Sequence, residues 1–293
     1  MKKAFIILAV LLLSLFSFTH CNHENGGENG NNDNPCAVVD ADGNCYDTVH
    51  IGNQVWMKSN LRTTHFRDGS PIPLGNSTNI TGPWYFQPSN TDAPGYSSKT
   101  YGFYYSEKTV HDTRGICPVG WHVPTLADWN EMAKHVCIHY RNYLNFVHNY
   151  GQEYYEEFED EMEGMLGEYY DDPFNDYFFL FEYDPPIAKA FASQTGWSAF
   201  DYDYEPEDYE IMMPAYHPEY NNSTRFSAYP AGYCFFEDNN PFLGMYGQNN
   251  GLWTSTKYNP DDSYSWYCET GFWFIRPYYT NNRVGLSIRC VKD

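Results

Sequence analysis

The chain has 293 residues, with 38 acidic side chains against 17 basic ones and a net charge of −21 at pH 7. This length holds one large domain or two small ones, and no internal repeat favours two. The negative charge excludes nucleic acid as a partner, because phosphate backbones would be repelled. The expected partners are neutral, cationic or bridged by a divalent cation.

The first 20 residues have the layout of a secretory signal peptide. Two lysines precede an apolar run at 4–13, which is shorter than the roughly 20 residues of a membrane span. Cys21 follows, and a cysteine in this place resembles the acylated cysteine of bacterial lipoproteins, although His20 replaces the small residue usual before it. We expect residues 1–20 to be removed and Cys21 to carry lipid, with ordinary secretion as the alternative.

Residues 21–35 are expected to form a flexible tether. The stretch at 22–34 contains only polar residues and glycine and therefore has no side chain to bury. A tether behind an acylated cysteine would hold a domain at 36–293 off a membrane surface. The predicted location is lipid-anchored at the outer membrane or cell surface, with a secreted or periplasmic protein as the alternatives.

Eight cysteines in an exported chain predict disulfide bonds. Cys36 and Cys45 flank a turn-like segment at 40–44 and are expected to close a small local loop. No C-x-x-C pair occurs, which argues against a zinc or redox motif. Counting cannot fix the connectivity of the others, which are Cys117, Cys137, Cys234, Cys268 and Cys290.

Short strands are predicted in the first part of the domain. Alternating apolar residues at 46–61 predict a strand pair with its turn at Gly52-Asn53. Residues 71–94 contain many turn formers and predict a loop. Residues 101–106 predict a short aromatic strand.

A helix is predicted to begin after Pro124. Thr125 can cap it, and Asp128 follows three residues later, in the arrangement of a capping box that also places negative charge at the helix N-terminus. Apolar side chains then recur at helical spacing and predict one face buried on a sheet, formed by Trp129, Met132, Ala133, Val136, Cys137 and Tyr140.

The second half combines an acidic segment with further strands. Residues 142–188 contain no Lys or Arg and many Glu, Asp, Tyr and Phe, which predicts an acidic insertion. Strands are predicted at 226–233, 251–256, 265–275 and 284–291. The fold class expected is α+β, a single domain of mostly antiparallel short strands with one main helix and long aromatic-rich loops.

Several segments together resemble the Fibrobacter succinogenes major paralogous domain, a family of exported, often lipid-anchored bacterial proteins. They follow the family's order and comprise Val49 to Thr64, Asp68-Gly69, Cys117 to Thr125 with Trp129, Ser193 to Trp197, Phe226 to Tyr233, Trp253 to Thr256 and Ser287 to Asp293. The acidic insertion is longer than the family usually has there. The resemblance implies no activity that can be carried over residue by residue.

The Cys-Pro-x-Gly-Trp opening and the chain's ending are also similar to C-type-lectin-like folds and to formylglycine-generating enzymes. This resemblance implies a C-type-lectin-like domain with one bridge between Cys117 and Cys290 and a second between Cys234 and Cys268. Cys137 would then be the free thiol. A bridge from the helix cysteine to the last strand, as in many C-type lectins, is the rival pairing.

Two kinds of ligand contact are candidates. Calcium is the one cofactor considered, because it takes oxygen ligands and the chain is rich in carboxylates. Its candidate ligands are Asp201, Asp203, Glu205 and Asp208, although no D-x-D-x-D-G loop occurs. Aromatic residues in loop-like or edge segments could stack on a ligand, namely Trp84, Tyr85, Trp266, Trp273, Tyr278 and Tyr279. The alternative for such a chain, which has 28 Tyr, 20 Phe and 8 Trp, is that long loops pack on aromatic side chains.

The motifs of common enzymes are missing from the sequence. No nucleophile elbow, P-loop or acid pair occurs in a context that would confirm it, so no enzyme activity is expected. The leading hypothesis is a cell-surface binding or adhesion module for glycans or a protein partner, attached to the membrane through its lipid. A purely structural coat protein is the alternative, and a glycan hydrolase is the weaker one.

Overall fold

Antiparallel strand pairs build most of the domain. The structure is a computed structural model that describes residues 37–76, 79, 81–89, 93–139, 187–199, 213–216, 218–237, 240–269, 275–280 and 283–293. Within these ranges only the backbone is described for residues 137–138, 237, 240, 266, 269 and 275–279. All of them belong to one compact unit, Asp33–Asp293.

The N-terminal part of the domain pairs with the C-terminus of the chain. A hairpin of β1 (Val38–Val39) and β2 (Cys45–Tyr46) is followed by a four-stranded sheet. The strands of that sheet are β3 (Thr48–Ile51), β4 (Gln54–Met57), β7 (Trp121–His122) and β14 (Val291–Lys292). Their order is β3-β4-β14-β7. Ile51 pairs with Gln54 across the turn, which confirms the predicted strand pair.

A five-stranded sheet collects strands from three parts of the chain. Its strands are β5 (Tyr85–Phe86), β6 (Tyr104–Ser106), β8 (Tyr233–Glu237), β9 (Asn240–Gly244) and β13 (Gly285–Leu286). Their order is β5-β6-β13-β8-β9, so β9 lies at an edge. A three-stranded sheet is formed in chain order by β10 (Asn249–Lys257), β11 (Ser263–Glu269) and β12 (Ile275–Thr280).

Four α-helices are described, and three of them are single turns. These are α1 (Ser98–Tyr101), α2 (Glu107–Val110) and α4 (Ala188–Phe191), and a short 3-10 helix follows at Pro218–Tyr220. The long helix is α3 (Leu126–Ile138). The predicted α+β class with mostly antiparallel strands is confirmed for the described part of the chain.

The capping box of α3 forms as predicted. The Asp128 carboxylate accepts from the Thr125 hydroxyl at 2.6 Å and from the Thr125 backbone amide at 2.7 Å, while the Thr125 hydroxyl accepts from the Asp128 amide at 3.1 Å. The predicted buried face is also confirmed at Trp129, Met132, Ala133 and Val136, all fully buried. The Cys137 side chain and Tyr140 lie outside the described residues.

Tryptophan contacts join α3 to the four-stranded sheet. The Trp56 ring on β4 lies 4.5 Å from the Trp129 ring on α3, and Phe226 contacts both, at 5.8 Å and 6.0 Å. Trp253 is also fully buried, and Trp121 is 8% exposed. The tryptophans within the family-like segments therefore belong to the core, except that Trp197 is only partly buried.

Four predicted strands differ from the structure, and one of them, at 265–275, includes the end of β11 and the start of β12. Residues 226–232 are irregular, because the Phe226 and Ser227 carbonyls accept from the buried Arg289 guanidinium and are not available to a sheet. The predicted strand at 284–291 is divided between β13 and β14, which belong to different sheets. Tyr101, predicted to begin a strand, instead ends α1.

The Cys117–Cys290 bridge is present, with a Cα–Cα distance of 6.0 Å, so the rival pairing of Cys290 with the helix cysteine is wrong. Cys45 is also disulfide-bonded, and its expected partner Cys36 lies outside the described residues. The expected bridge between Cys234 and Cys268 is wrong. Both are buried and neither is in a disulfide, because β8 and β11 place them in different sheets and different parts of the core.

Candidate functional site: a tyrosine cluster

Four half-buried tyrosines meet where the loops beside the five-stranded sheet converge. We call Tyr96, Tyr101, Tyr229 and Tyr246 the tyrosine cluster. Tyr101 is its centre. Its ring is stacked on Tyr96 at 5.9 Å with 20° between the planes, meets Tyr229 edge-on at 5.8 Å, and lies 5.2 Å from Tyr246. Each of the four side chains is partly open to solvent, and Tyr96 and Tyr101 also pack against the core cluster that contains Trp84.

Backbone hydrogen bonds hold the loops that carry these rings. The Gly247 amide, next to Tyr246, donates to the Pro230 carbonyl at 2.9 Å, and the Gly247 carbonyl accepts from the Ser198 amide at 2.7 Å. Gly232 has a φ of 68°, and a Cβ there would lie 2.2 Å from the Gly244 carbonyl oxygen, so only glycine fits. The rings are therefore preorganised, which lowers the entropy lost when a ligand binds.

The Tyr96 and Tyr246 hydroxyls remain neutral at physiological pH. Burial raises the pKa of Tyr96 above the ordinary value, and the charge of Tyr246 would raise it further. Burial and a hydrogen bond with Tyr101 likewise raise the pKa of Tyr246. A neutral phenol can both donate and accept a hydrogen bond. The tyrosine cluster therefore offers apolar ring faces together with uncharged polar groups.

A tryptophan lies close to the cluster along the family-like segment at 193–197. A Cβ on Gly196 would be 3.0 Å from the Tyr101 hydroxyl and 3.3 Å from the Pro230 ring, so the glycine permits this close approach. Trp197 follows directly, and its indole nitrogen is shielded from solvent without a hydrogen-bond partner among the described residues. Its ring packs on the core cluster that contains Trp129 and Phe226.

Of the predicted stacking residues, the side chains of Trp84 and Tyr85 are described, and neither belongs to the tyrosine cluster. Trp84 is fully buried, so its assignment to a ligand platform is wrong. Its indole is confined by two glycines, since a Cβ on Gly285 would lie 2.5 Å from it and a Cβ on Gly75 2.9 Å. Tyr85 is half-buried and packs on Phe103 at 5.6 Å. Trp273 and the side chains of Trp266, Tyr278 and Tyr279 lie outside the described residues.

The calcium candidates Asp201, Asp203, Glu205 and Asp208 also lie outside the described residues. Within the part of the chain that is described, no three His, Cys, Asp or Glu side chains converge as metal ligands. No helix there has both the length and the apolar composition needed to cross a membrane.

A second polar cluster surrounds the buried carboxylate of Glu107. Glu107 Oε1 accepts from Lys257 Nζ and from the Ser263 hydroxyl, the latter at 3.1 Å, and lies 3.2 Å from His111 Nε2. His111 Nε2 is also 2.9 Å from the Ser263 hydroxyl. Ser263 and Glu107 therefore both lie near the same nitrogen of the His111 ring. In a serine hydrolase the serine and the acidic residue contact opposite nitrogens of the histidine, so this cluster does not have that geometry. Ser263 is fully buried as well.

Sequence reasoning missed the tyrosine cluster because its members come from three separate segments, one with Tyr96 and Tyr101, one with Tyr229 and one with Tyr246. Tyr229 was within a recognised segment, Tyr229-Pro230-Ala231-Gly232-Tyr233, and its glycine was the available signal of a close backbone approach. No periodicity connects Tyr96 or Tyr246 to that segment. Only the fold brings these rings to Tyr101.

The fold and disulfide define a class, a disulfide-bonded α+β domain of small antiparallel sheets. The family is given by a direct match: residues 49–292 fit the model of the Fibrobacter succinogenes major domain, and the chain belongs to that family. This confirms the resemblance found in the sequence. No curated protein and no solved structure matches the chain.

Proposed function

We propose that this protein is a cell-surface lipoprotein whose domain is a non-catalytic binding or adhesion module, and that the tyrosine cluster contacts the ligand. The observation that carries the proposal is the arrangement of neutral, half-exposed rings around Tyr101 on hydrogen-bonded loops. Tyrosine supplies a large rigid contact area with a polar tip, which is why it is enriched at binding surfaces.

A neutral glycan is the ligand that this chemistry favours. The C–H face of a sugar ring is apolar and can pack on an aromatic face, while its hydroxyls can bond to the phenol groups. The cluster contains no Lys, Arg, Asp or Glu side chain, so a charged ligand would find no counterion within it. Recognition without a counterion also agrees with a chain whose net charge is −21.

Location and fold relationship are part of the same proposal. The layout of residues 1–21 supports export and acylation at Cys21, which would place the domain on a membrane surface. A C-type-lectin-like relationship is supported by the Cys117–Cys290 bridge, which joins a cysteine early in the fold to one beside the last strand.

The proposal is tested by binding of the purified protein to a broad glycan array, with calcium and again with a chelator. Binding that is unchanged by chelator supports the tyrosine cluster, because stacking needs no metal. Loss of binding in chelator would indicate that a metal ion takes part in binding, with the carboxylates at 201–208 as its candidate ligands. The absence of binding in both conditions would favour a structural coat protein.

A further inference from the structure

A lysine amine is buried beside a carboxamide at the end of the acidic insertion. Lys189 lies on α4 and is 1% exposed. Its Nζ donates to Asn221 Oδ1 at 3.1 Å and to the Tyr216 carbonyl. Lys189 and Asn221 are 32 residues apart in the chain. Asn221 is also buried, with 2% of its surface exposed.

The Asn221 carboxamide is held in one orientation. Its Nδ2 donates to the Ser193 carbonyl at 2.9 Å and to the Pro214 carbonyl at 2.9 Å. These bonds direct Oδ1 toward Lys189, so the amine is hydrogen-bonded to the oxygen of the electrophilic carbonyl group and must move from Oδ1 to Cγ to react. Such positioning supplies most of what a reaction between two amide-forming groups needs.

The surroundings also favour the reactive form of the amine. Burial lowers the pKa of Lys189 to about 7, against a smaller opposing effect from the charge of Glu219. Near neutral pH a large share of the side chain is therefore the uncharged nucleophile. Among the described residues, Glu219 is the carboxylate whose charge acts on the Lys189 amine, and we assign the proton transfer to it.

We propose that Lys189 and Asn221 form an intramolecular isopeptide bond. Lys189 Nζ attacks Asn221 Cγ, a new C–N bond forms, and the Cγ–Nδ2 bond breaks. One proton moves from Nζ to the departing nitrogen, with Glu219 as its carrier, and the nitrogen leaves as ammonia. No oxidant or reductant is needed, because neither carbon nor nitrogen changes oxidation state.

The bond would fasten α4 to the segment at 213–221 by a covalent link that reducing agents cannot break. This inference does not depend on the proposed ligand, since the tyrosine cluster contains neither residue. Glycan binding without a crosslink would contradict only the crosslink proposal. A crosslink without glycan binding would contradict only the proposed function.

Peptide mass spectrometry of the wild-type protein tests the proposal. Trypsin with a glutamate-specific protease should yield a branched peptide joining residues 183–207 to residues 220–225, lighter than the sum of its two parts by one ammonia, since the bond between Glu205 and Pro206 resists the protease. Trypsin cannot cut after a lysine whose amine is acylated. Recovery of residues 183–189 and 220–225 only as separate, unmodified peptides would overturn the proposal.

Three variants complete the test. Lys189→Arg keeps a donor for Tyr216 and Asn221 but removes the nucleophile, so the branched peptide should vanish while the Cys117–Cys290 bridge still forms. Lys292→Met removes an exposed lysine and should leave the branched peptide at its wild-type yield. Glu219→Gln removes the cleavage site before residue 220, so its branched peptide would contain residues 211–225. This peptide should appear more slowly after synthesis than the wild-type one, and an unchanged rate would overturn the role given to Glu219.

Discussion

Three charged side chains, Glu107, Lys189 and Arg289, lie almost entirely away from solvent. Each is held by several neighbouring polar groups. Arg289 donates to Asn60 Oδ1 at 3.0 Å and 2.7 Å and to two backbone carbonyls, and its guanidinium lies over the Phe226 ring at 4.3 Å. Burial lowers its pKa to about 9. The site uses several N–H donors of the planar Arg289 guanidinium at once. The single ammonium group of a lysine at this position could not make the same set of hydrogen bonds.

The buried carboxylate of Glu107 depends on Lys257 for its closest positive charge. Lys257→Met should destabilise the protein by about 3 kcal/mol, because it leaves a buried carboxylate without its closest cation. Urea unfolding of the wild type and the variant would measure the difference.

A matched control lies in the same cluster. Lys108 Nζ is 3.3 Å from Glu107 Oε2 without making a hydrogen bond, and its side chain is 38% exposed. Lys108→Met should therefore cost less than about 1 kcal/mol. Equal losses in the two lysine variants would contradict this description of the cluster.

At the scale of elements, the start of α3 is tied to the end of the chain through His122. Its Nδ1 lies 2.7 Å from Asp293 Oδ1, and its Nε2 lies 3.2 Å from Asp128 Oδ2. The hydrogen bond with Asp128 is the main cause that raises the pKa of His122. Burial alone would raise the pKa of Asp128, but hydrogen bonds from His122 and Thr125 together lower it.

These two shifts predict a pH window for the contribution of His122. A raised histidine pKa stabilises the fold fully below pH 6.5, and the effect is lost as pH rises through the folded value. A lowered aspartate pKa stabilises above pH 3.8, and the effect is lost as pH falls through the folded value. The difference between wild type and His122→Gln should therefore be largest between these limits, at about 1 kcal/mol.

Thermal unfolding across pH would measure this difference. Substituting His122 leaves the hydrogen bonds between Thr125 and Asp128 in place, so the cap itself is not tested at the same time. A difference that stayed constant from acidic to alkaline pH would show that the ion pairs do not contribute.

The sequence predicted the elements whose signals are local. The capping box at Thr125 and the apolar spacing after it identify α3, because both depend on residues within a few turns. The division of 284–291 could not be predicted, since it depends on contacts of Ser287 with Leu252 and of Arg289 with the 226–227 carbonyls. The burial of Trp84 is likewise decided by Gly75 and Gly285, which are far apart in sequence.

At the scale of the whole molecule, the last nine residues join the sheets. Gly285–Leu286 forms β13 within the five-stranded sheet, Ser287 bridges to β10, and Val291–Lys292 closes the four-stranded sheet as β14. Cys290, between these contacts, is bonded to Cys117, 173 residues earlier. The C-terminal segment therefore holds distant parts of the chain together.

Removal of this bridge should have a large effect on stability. Replacing Cys117 and Cys290 together by alanine should lower the free energy of unfolding by about 2–5 kcal/mol, because a cross-link over such a long loop restricts the unfolded chain. Denaturant unfolding of the variant and of the reduced wild type would measure it. An unchanged unfolding midpoint in both would contradict the role assigned to the C-terminal segment.

The candidate site could be predicted only in part from the sequence. Composition made aromatic stacking a candidate contact, and the net charge favoured neutral, cationic or cation-bridged partners. Trp84 was assigned wrongly, because exposure depends on tertiary packing: Trp84 is fully buried against Gly75 and Gly285, whereas Tyr101 is half-buried at the end of α1. Tyrosines that are 145 residues apart, as Tyr101 and Tyr246 are, share no local pattern.

The most direct test of the account is the binding of tyrosine variants to the glycan with the strongest array signal. Tyr101→Ala and Tyr246→Ala should each lose about tenfold in affinity, since truncating a central aromatic contact typically costs more than 1 kcal/mol. Tyr258→Ala, which removes a tyrosine that is 50% exposed outside the cluster, should bind like the wild type. Wild-type affinity in all three correctly folded variants would contradict the claim that the tyrosine cluster binds the ligand.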